Sequence, residues 1–263
     1  MLRLTAIDPK ENVMRLHQCT YTEVGEYLKS SVGIIIPTGS TEQHSPMGVL
    51  GTDHFCAETI AWRAGELASA MVGPSLTVGV SEHHMAFPGS MTIRPSTYIA
   101  LIRDLILSLV DHGFERFLVI NGHGGNTASL NAAFSEIYGE VRRGGGANAP
   151  DVRCKTMKWF QNPPSEALSL ELTGHPAGGH ASAAEVSVAQ FADPANIKKP
   201  TKMEPDFASD DHTFYNSADF RRRFADGRIE SNPTGSTPEI GRQLVETAAL
   251  FFAETYRDFL VDS

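Results

Sequence analysis

Short runs of consecutive apolar residues alternate along the chain with longer stretches in which apolar residues recur every three or four positions. The short runs predict buried strands at residues 32–37, 76–80, 116–121 and 152–159. The longer stretches predict helices at residues 53–70, 95–113, 126–141, 182–191 and 239–261. Strands that alternate with helices in this way predict an α/β fold, with a mostly parallel sheet between helix layers.

Two stretches break this alternation. Residues 142–150 contain three successive glycines and predict an exposed loop. Residues 194–237 are rich in proline, aspartate, serine and asparagine, and predict an irregular excursion over the surface or towards a neighbouring subunit. Because there is no internal repeat and no second hydrophobic block, residues 1–263 predict a single domain that includes this excursion.

The charge balance narrows the possible partners. Lysine and arginine number 22 against 31 aspartates and glutamates, so the net charge is −9. A chain this acidic is not expected to hold nucleic acid or a membrane surface through a broad basic face, and we expect a small-molecule substrate instead. The one dense basic run, residues 221–223, lies between Asp219 and Asp226 and predicts a solvated helix face.

Sequence features also bear on the compartment. No run reaches the roughly 18 apolar residues that a membrane span needs, and no charged region followed by an apolar one marks a signal peptide. Cys19, Cys56 and Cys154 are too widely spaced, and odd in number, for a disulfide framework or a thiolate zinc site. We therefore expect a cytoplasmic protein.

Carboxylates and an imidazole follow the first predicted strand. Glu42 and His44 are two residues apart, so their side chains can point the same way in extended backbone, and Asp53 follows after a short loop. This mixture of oxygen and nitrogen ligands suits zinc, manganese or iron, and a carboxylate can bridge two ions. In the alternative interpretation Glu42 and His44 are polar loop residues and Asp53 only caps a helix.

A glycine-rich turn, Asn-Gly-His-Gly-Gly-Asn, occupies residues 121–126 between a predicted strand and a predicted helix. Glycine lets the backbone approach a ligand closely, so His123 is a candidate ligand-binding residue and Gly124 and Asn126 are candidate substrate contacts. Asn126 could instead hold the turn. Phosphate binding and a plain tight turn are the alternatives, although the turn matches neither a P-loop nor the dinucleotide fingerprint.

Two further stretches carry histidines. Small residues surround His180, and Glu185 follows where a helix begins, so both could face one pocket; an ordinary helix start with a favourable acidic residue is the alternative. Ser81, His83 and His84 are candidate substrate contacts, because adjacent histidines project in different directions and are not expected to bind one metal. We interpret the isolated histidines and two of the cysteines as structural: His54, His112, His175, Cys56 and Cys154.

Read together, these stretches resemble the creatininase (creatinine amidohydrolase) superfamily. The resemblance lies in residues 39–44, 51–53 and 121–126, followed by His180 and Glu185, in the family's order and over residues 30–192. It implies a three-layer α/β/α sandwich with a mostly parallel sheet and a binuclear metal site. It also implies a homo-oligomer, since family members commonly form hexamers.

The resemblance further implies a role for each motif residue. Glu42 and His123 would bind one metal and His44 the other, with Asp53 as the bridging carboxylate. Two divalent ions per chain, of zinc, manganese or iron, are therefore the expected cofactors.

Two departures from the family pattern argue against creatinine as the substrate. Creatinine-hydrolysing members carry an aromatic residue and a metal-binding glutamate where this chain has Gly124 and Gly125, and Glu185 is the natural replacement ligand. They also carry a glutamate in the place of Gly179, just before His180. The glycine version resembles a broader branch that includes a formamide-cleaving enzyme, a peptidase acting on a redox-peptide precursor and ring-opening hydrolases.

The expected chemistry follows from such a site. Two neighbouring divalent metals ionise a water near neutral pH and polarise a carbonyl, and His180 is the candidate general acid for the leaving nitrogen. We therefore expect a metal-dependent hydrolase that cleaves the C–N bond of an amide or cyclic amide. The alternatives are a ring-opening hydrolase of a cyclic diketone or inositol-derived substrate, a non-catalytic metal-binding or regulatory module, and a nucleotide-binding protein.

Overall fold

A computed structural model describes residues 14–204 and 213–262 of the chain. These residues form a four-stranded sheet in the order β2-β1-β3-β4, in which all neighbours are parallel. The strands are β1 (Gly33–Thr38), β2 (Met71–Val72), β3 (Arg116–Asn121) and β4 (Arg153–Lys158). β1 and β3 pair over their full length, with Thr38 opposite Asn121, so their carboxyl ends lie level at one edge of the sheet.

Helices cover both faces of this sheet. The α-helices are α1 (Tyr21–Tyr27), α2 (Thr52–Ala68), α3 (Pro95–Val110), α4 (Thr127–Gly145), α5 (Pro163–Thr173), α6 (Ala183–Ala192), α7 (Ser217–Arg223) and α8 (Pro238–Val261). Short 3-10 turns occur at Leu16–Gln18, Glu82–His84, Gly124–Asn126, Gly146–Asn148, Pro194–Asn196 and Pro233–Gly235.

The alternation of side chains along the strands divides the core into two layers. Ile35 of β1 packs with residues of α2, α6 and α8, whereas Ile34 and Ile36 pack with residues of α1, α3 and α4. β3 is divided in the same way, because successive side chains of a strand point to opposite faces. The predicted α/β fold, a parallel sheet between two helix layers, is confirmed.

Two carboxylates enter the site from the first turns of helices. Asp53 lies at the start of α2, next to the N-cap. Glu185 lies at the start of α6, where it forms a capping box: Ser182 Oγ accepts a hydrogen bond from the Glu185 amide, and a Glu185 carboxylate oxygen accepts one from the Ser182 amide. Both helix starts face the carboxyl edge of the sheet.

Some predicted elements differ from the structure. Residues 76–80 are not a strand: the place beside β1 belongs to β2, and only Leu76 bridges to Thr38. Residues 142–150 are not an exposed loop throughout, since α4 continues to Gly145. The sequence pattern did not predict α1 and α5, because neither helix carries a long apolar stripe.

Residues 194–204 and 213–237 are largely irregular, although they contain the two-turn helix α7. Residues 205–212 of the predicted excursion lie outside the described residues. The three arginines at 221–223 are exposed on α7, in agreement with a solvated face. Within the described ranges, no helix has the length and apolar character required to cross a membrane.

Candidate metal centre and substrate cavity

Five side chains from four parts of the chain meet at the carboxyl edge of the sheet. Glu42 and His44 lie in the loop after β1, His123 follows β3, and Asp53 and Glu185 come from the starts of α2 and α6. All five are buried, and Glu42 and His44 have no exposed surface.

These residues form two groups of potential metal ligands that share one carboxylate. Asp53 groups with Glu42 and His123 on one side, and with His44 and Glu185 on the other; within each group the ligand atoms lie within 4.8 Å of one another. His123 Nδ1 is 3.2 Å from both Glu42 Oε1 and Asp53 Oδ2, and His44 Nε2 is 3.0 Å from Asp53 Oδ1.

Backbone carbonyls orient both imidazoles. His44 Nδ1 donates to the Glu42 carbonyl at 3.1 Å, and His123 Nε2 donates to the Val80 carbonyl at 2.9 Å. The second nitrogen of each ring therefore points its lone pair at a carboxylate, an arrangement that requires a proton or a cation between them. Carbonyl-oriented histidines of this kind are typical of metal sites.

The carboxylates of the site also require a cation nearby. Glu42 Oε1, Glu42 Oε2 and Asp53 Oδ2 are buried and form no hydrogen bond with the described residues. A buried carboxylate oxygen without a partner is costly unless a cation compensates it. Three carboxylates and two imidazoles supply the hard and borderline ligands that divalent ions such as zinc and manganese take, so the residues fit a pair of such ions.

Burial and charge act against each other in this cluster. Burial would raise the pKa of Glu42, but the charges of His123 and His84 outweigh it and hold that pKa well below its usual value. Burial would lower the pKa of His44, but the carboxylates of Asp53 and Glu185 raise it to about 9. For Glu185 burial dominates and raises the pKa to about 7. The cluster thus attracts positive charge strongly.

Gln43 lies beneath two further histidines and contacts a ring nitrogen of each. Its amide is held at both ends by backbone, since Oε1 accepts from the Ser45 amide at 2.9 Å and Nε2 donates to the Gly227 carbonyl at 2.9 Å. The remaining amide hydrogen has two imidazole nitrogens within reach, His84 Nδ1 at 3.0 Å and His180 Nε2 at 2.8 Å. The other ring nitrogen of His84, Nε2, lies 3.2 Å from Glu42 Oε1.

His180 is oriented from the same side. Its Nε2 lies 2.8 Å from both the backbone carbonyl and the side-chain Nε2 of Gln43, and these two contacts favour opposite tautomers of the ring. Its Nδ1 lies 3.8 Å from Glu42 Oε1. Burial, together with the charges of His84 and His44, lowers the pKa of His180 well below its usual value, so the ring is neutral. Glu42, His84 and His180 form a third group of potential metal ligands that the sequence did not indicate.

A cavity of about 310 Å³ opens above these groups. It is lined by Asp53, His83, His84, Gly122, His123, Gly124, Gly125, Lys158, Phe160, Gln161, Gly178, His180, Glu185, Phe214 and Ile229. His83 stacks on Phe214, with ring centroids 5.2 Å apart, and burial lowers its pKa to about 3. A cavity of this size accommodates a small molecule or the end of a larger one.

Two candidate substrate contacts lie beneath the cavity, outside its lining. Ser81 Oγ is buried, bonded to Ser40 Oγ and within 3.3 Å of His123 Nε2. Asn126 is buried and holds two loops, since its side chain accepts from the Val80 amide at 2.9 Å and donates to the Gly39 carbonyl at 3.0 Å. Both residues therefore support the turn that carries His123.

Several residues at the site had no signal in the sequence. Three of them lie close together at the end of β4: Lys158, Phe160 and Gln161. That position predicts only that they lie at the ligand-binding edge of a parallel sheet. Phe214 lies in the irregular stretch, where no pattern indicates what it packs against. Gln43 stands between two candidate ligands and could have been singled out by that position alone.

The two departures from the family pattern have a steric basis. A Cβ atom at Gly125 would collide with His123 Nε2 and with the Val80 carbonyl. One at Gly179 would collide with the carbonyls of Ile229 and Glu230. This backbone therefore has no room for glutamate at either place.

The histidines interpreted as structural lie outside the three ligand groups. His54 packs against Phe55 on α2, His112 is exposed, and His175 is half-buried. The cysteines are free: Cys56 is buried, as expected, whereas Cys19 and Cys154 are half-buried.

Two characterised proteins are similar in sequence to part of this chain. A mycofactocin precursor peptide peptidase from Mycolicibacterium smegmatis is 34% identical over 158 residues, which are 53% of this chain and 61% of the relative. A 3-dehydro-scyllo-inosose hydrolase from Thermotoga maritima is 30% identical over 106 residues, or 40% of this chain and 34% of the relative. The matches therefore span less than two thirds of either relative.

The fold itself matches over nearly the whole chain. A solved structure described as a mutant creatininase complexed with creatine superposes with a TM-score of 0.82 at 20% identity, covering 95% of this chain and 100% of that one. The sequence profile of the creatininase family, described as creatinine amidohydrolase, matches residues 17–256. The chain belongs to the creatininase family of hydrolases.

Proposed function

We propose that this chain is a metal-dependent hydrolase that cleaves the C–N bond of an amide or cyclic amide other than creatinine. One observation carries the proposal: buried carboxylate oxygens of Glu42 and Asp53 without hydrogen bonds lie within 3.2 Å of the His123 ring nitrogen that carries a lone pair. Such an arrangement is stable with divalent cations between the groups and unfavourable without positive charge there.

In this proposal five residues hold two divalent ions of zinc, manganese or iron. Glu42 and His123 would hold one and His44 and Glu185 the other, while Asp53 belongs to both ligand groups. Glu185 takes over from the glutamate that Gly125 has displaced. When bound, the ions supply a Lewis acid for the carbonyl and a water acidified towards neutral pH.

His180 moves the proton. In this proposal its Nε2 donates to the Gln43 carbonyl at 2.8 Å, which leaves the lone pair on Nδ1. A neutral ring in this tautomer first accepts a proton from the attacking water and then donates it to the leaving nitrogen. His180, the general acid expected from the sequence, thus obtains the proton that it later donates from the attacking water. His84 holds Glu42, and His83 contacts the substrate from the cavity wall.

The proposal also covers the partners. The substrate is a small molecule, with neither nucleic acid nor a membrane as a partner. We propose that the protein is a cytoplasmic homo-oligomer, and the family resemblance implies a hexamer.

A second candidate reaction is favoured by one comparison. The relative from Thermotoga maritima is named a 3-dehydro-scyllo-inosose hydrolase and is 30% identical over 106 residues. The same site would then open a cyclic diketone or inositol-derived ring. A panel of formamides, cyclic amides and cyclic diketones separates the two reactions, because turnover of amides alone supports the first and turnover of diketones alone supports the second.

Metal content tests the site directly. Elemental analysis of protein purified without an affinity tag should find about two divalent ions per chain, and a Glu42→Gln, Asp53→Asn double variant should lose them. The matched control is Glu136→Gln with Asp104→Asn, two exposed carboxylates that pair with Arg103. If wild-type protein binds neither zinc nor manganese and hydrolyses no amide, the non-catalytic alternative replaces the proposal.

A further inference from the structure

Lys158 is a cationic side chain in the cavity that neither the metal centre nor the proton transfer uses. It is the last residue of β4, opposite Asn121 of β3, and so lies at the same edge of the sheet as the turn that carries His123. It is half-buried and lines the cavity together with Gly124, Gly125 and Phe160.

In the part of the chain that the structure describes, no protein anion balances this ammonium. Among residues 14–204 and 213–262, no carboxylate lies within the 4.0 Å of an ion pair with Lys158. Its Nζ is 5.7 Å from the centroid of the Phe160 ring, and burial lowers its pKa. A half-buried ammonium in a cavity can form charge-assisted hydrogen bonds with an anionic ligand group that reaches it.

The other described lining residue that favours a positive charge, His123, faces the carboxylates of Glu42 and Asp53, which raise its pKa. No arginine and no other lysine lines the cavity among the described residues. His83, with its pKa lowered to about 3, is neutral and stacks flat on Phe214. The cavity thus combines a flat apolar surface, a cationic side chain and the candidate metal centre within about 310 Å³.

We propose that Lys158 binds an anionic group of the substrate, a carboxylate or a phosphate, while the scissile amide lies at the metal centre. The placement of the scissile amide at the metal centre rests on the proposed function. The inference deepens that function by naming the substrate class, which is a small organic anion. An ammonium pairs with either oxyanion through the same charge-assisted hydrogen bonds.

Binding of probes that cannot be hydrolysed tests the anion site separately from activity. The probes are 3-phenylpropionate, 2-phenylethyl phosphate and the neutral 3-phenylpropan-1-ol, titrated calorimetrically into zinc-loaded protein. The variant is Lys158→Met. The matched control is Lys155→Met on the same strand and the opposite face, where Nζ lies 6.0 Å from the Phe259 ring centroid.

Lys158→Met should weaken binding of at least one acidic probe about ten- to hundredfold and change binding of the alcohol by less than about twofold. Loss confined to the carboxylate, or to the phosphate, identifies the natural anion. Lys155→Met should bind all probes like wild type. The metal ions attract acidic probes in every variant, so only the difference between variants reports on Lys158.

Three results would overturn the inference: no preference of wild type for an acidic probe, an unchanged preference in Lys158→Met, or an equal loss in Lys155→Met. A failure of the proposed function would give a different combination of results. If the Lys158→Met effect is present but the wild-type protein hydrolyses no amide in the panel, the anion site stands and the amidohydrolase proposal falls.

Discussion

The turns at residues 121–126 and 178–182 both carry a histidine beside glycine, yet different parts of the molecule hold them. The first is anchored to the sheet, because the Gly122 amide donates to the Thr38 carbonyl at 2.7 Å and Asn126 donates to the Gly39 carbonyl at 3.0 Å. The second is anchored to the irregular stretch, where His180 bridges to Ile229 and accepts a hydrogen bond from Ser231.

This difference separates the two tasks of the proposed site. The sheet-anchored turn presents His123 to the carboxylates, so its geometry governs how cations are held. The other turn presents His180, so its geometry governs how a proton is moved. Changes in the first turn should alter metal content, and changes at Gly179 or His180 in the second should alter turnover while metal content stays the same.

The largest effect is expected from Gly125→Ala. The new Cβ collides with His123 Nε2 and the Val80 carbonyl, so the His123 ring must shift relative to Glu42 and Asp53. We expect a loss of about 1–3 kcal/mol in the free energy of unfolding and loss of at least one bound metal. Urea denaturation and elemental analysis measure both. Gly124→Ala is the control, since a Cβ there meets no atom within 4 Å; equal metal loss in both variants contradicts the prediction.

A smaller effect is expected from Gln43→Leu, because Gln43 connects the loop after β1 with His84, His180 and Gly227. The substitution leaves the Ser45 amide and the Gly227 carbonyl without their partner and frees the His84 ring. We expect the free energy of unfolding to fall by about 1–3 kcal/mol. Turnover should drop about ten- to hundredfold with little change in KM, as for other residues that orient a site. A variant with full kcat would show that the Gln43 amide positions nothing.

Gly179→Ala tests the turn that is anchored to the irregular stretch. Its Cβ collides with the carbonyls of Ile229 and Glu230, so the stretch that orients His180 must shift. We expect kcat to fall about tenfold with metal content unchanged, because small misplacements of a catalytic group are costly. In Gly178→Ala the nearest atom to the Cβ is Phe160 Cδ2 at 4.0 Å, so kcat should stay near wild type. Metal loss in Gly179→Ala would erase the distinction between the turns.

The sheet-anchored half of the molecule could be predicted from the sequence. The apolar runs at 32–37 and 116–121 became β1 and β3, because a strand covered on both faces is apolar throughout. The motif residues follow the ends of these strands directly, so the topology of a parallel sheet brings them together.

The other half could not be predicted in the same way. Residues 76–80 are apolar enough for a strand but instead bend to support His123 through the Val80 carbonyl. Phe214 and Gly227 reach the site from the irregular stretch, where sequence separation gives no register. The roles of Lys158 and Gln43 depend on which side chains surround them, and tertiary packing determines those neighbours.

The smallest effect is expected from Ser231→Ala, which removes one hydrogen bond from the turn that carries His180. The Ser231 hydroxyl donates to the His180 carbonyl, while the bridge between His180 and Ile229 remains. We expect a loss of about 0.5–1.5 kcal/mol in the free energy of unfolding and a decrease of about threefold in kcat, with KM and metal content unchanged.

Ser236→Ala is the matched control for this last substitution. Its hydroxyl lies in the same irregular stretch but bonds to the carbonyls of Pro233 at 2.7 Å and Ala183 at 3.2 Å and not to His180. It should lose similar stability without losing kcat, and Ser231→Thr, which keeps the hydroxyl, should restore turnover. Equal kcat losses in the two alanine variants would mean that general loosening of the stretch, rather than the position of His180, limits turnover.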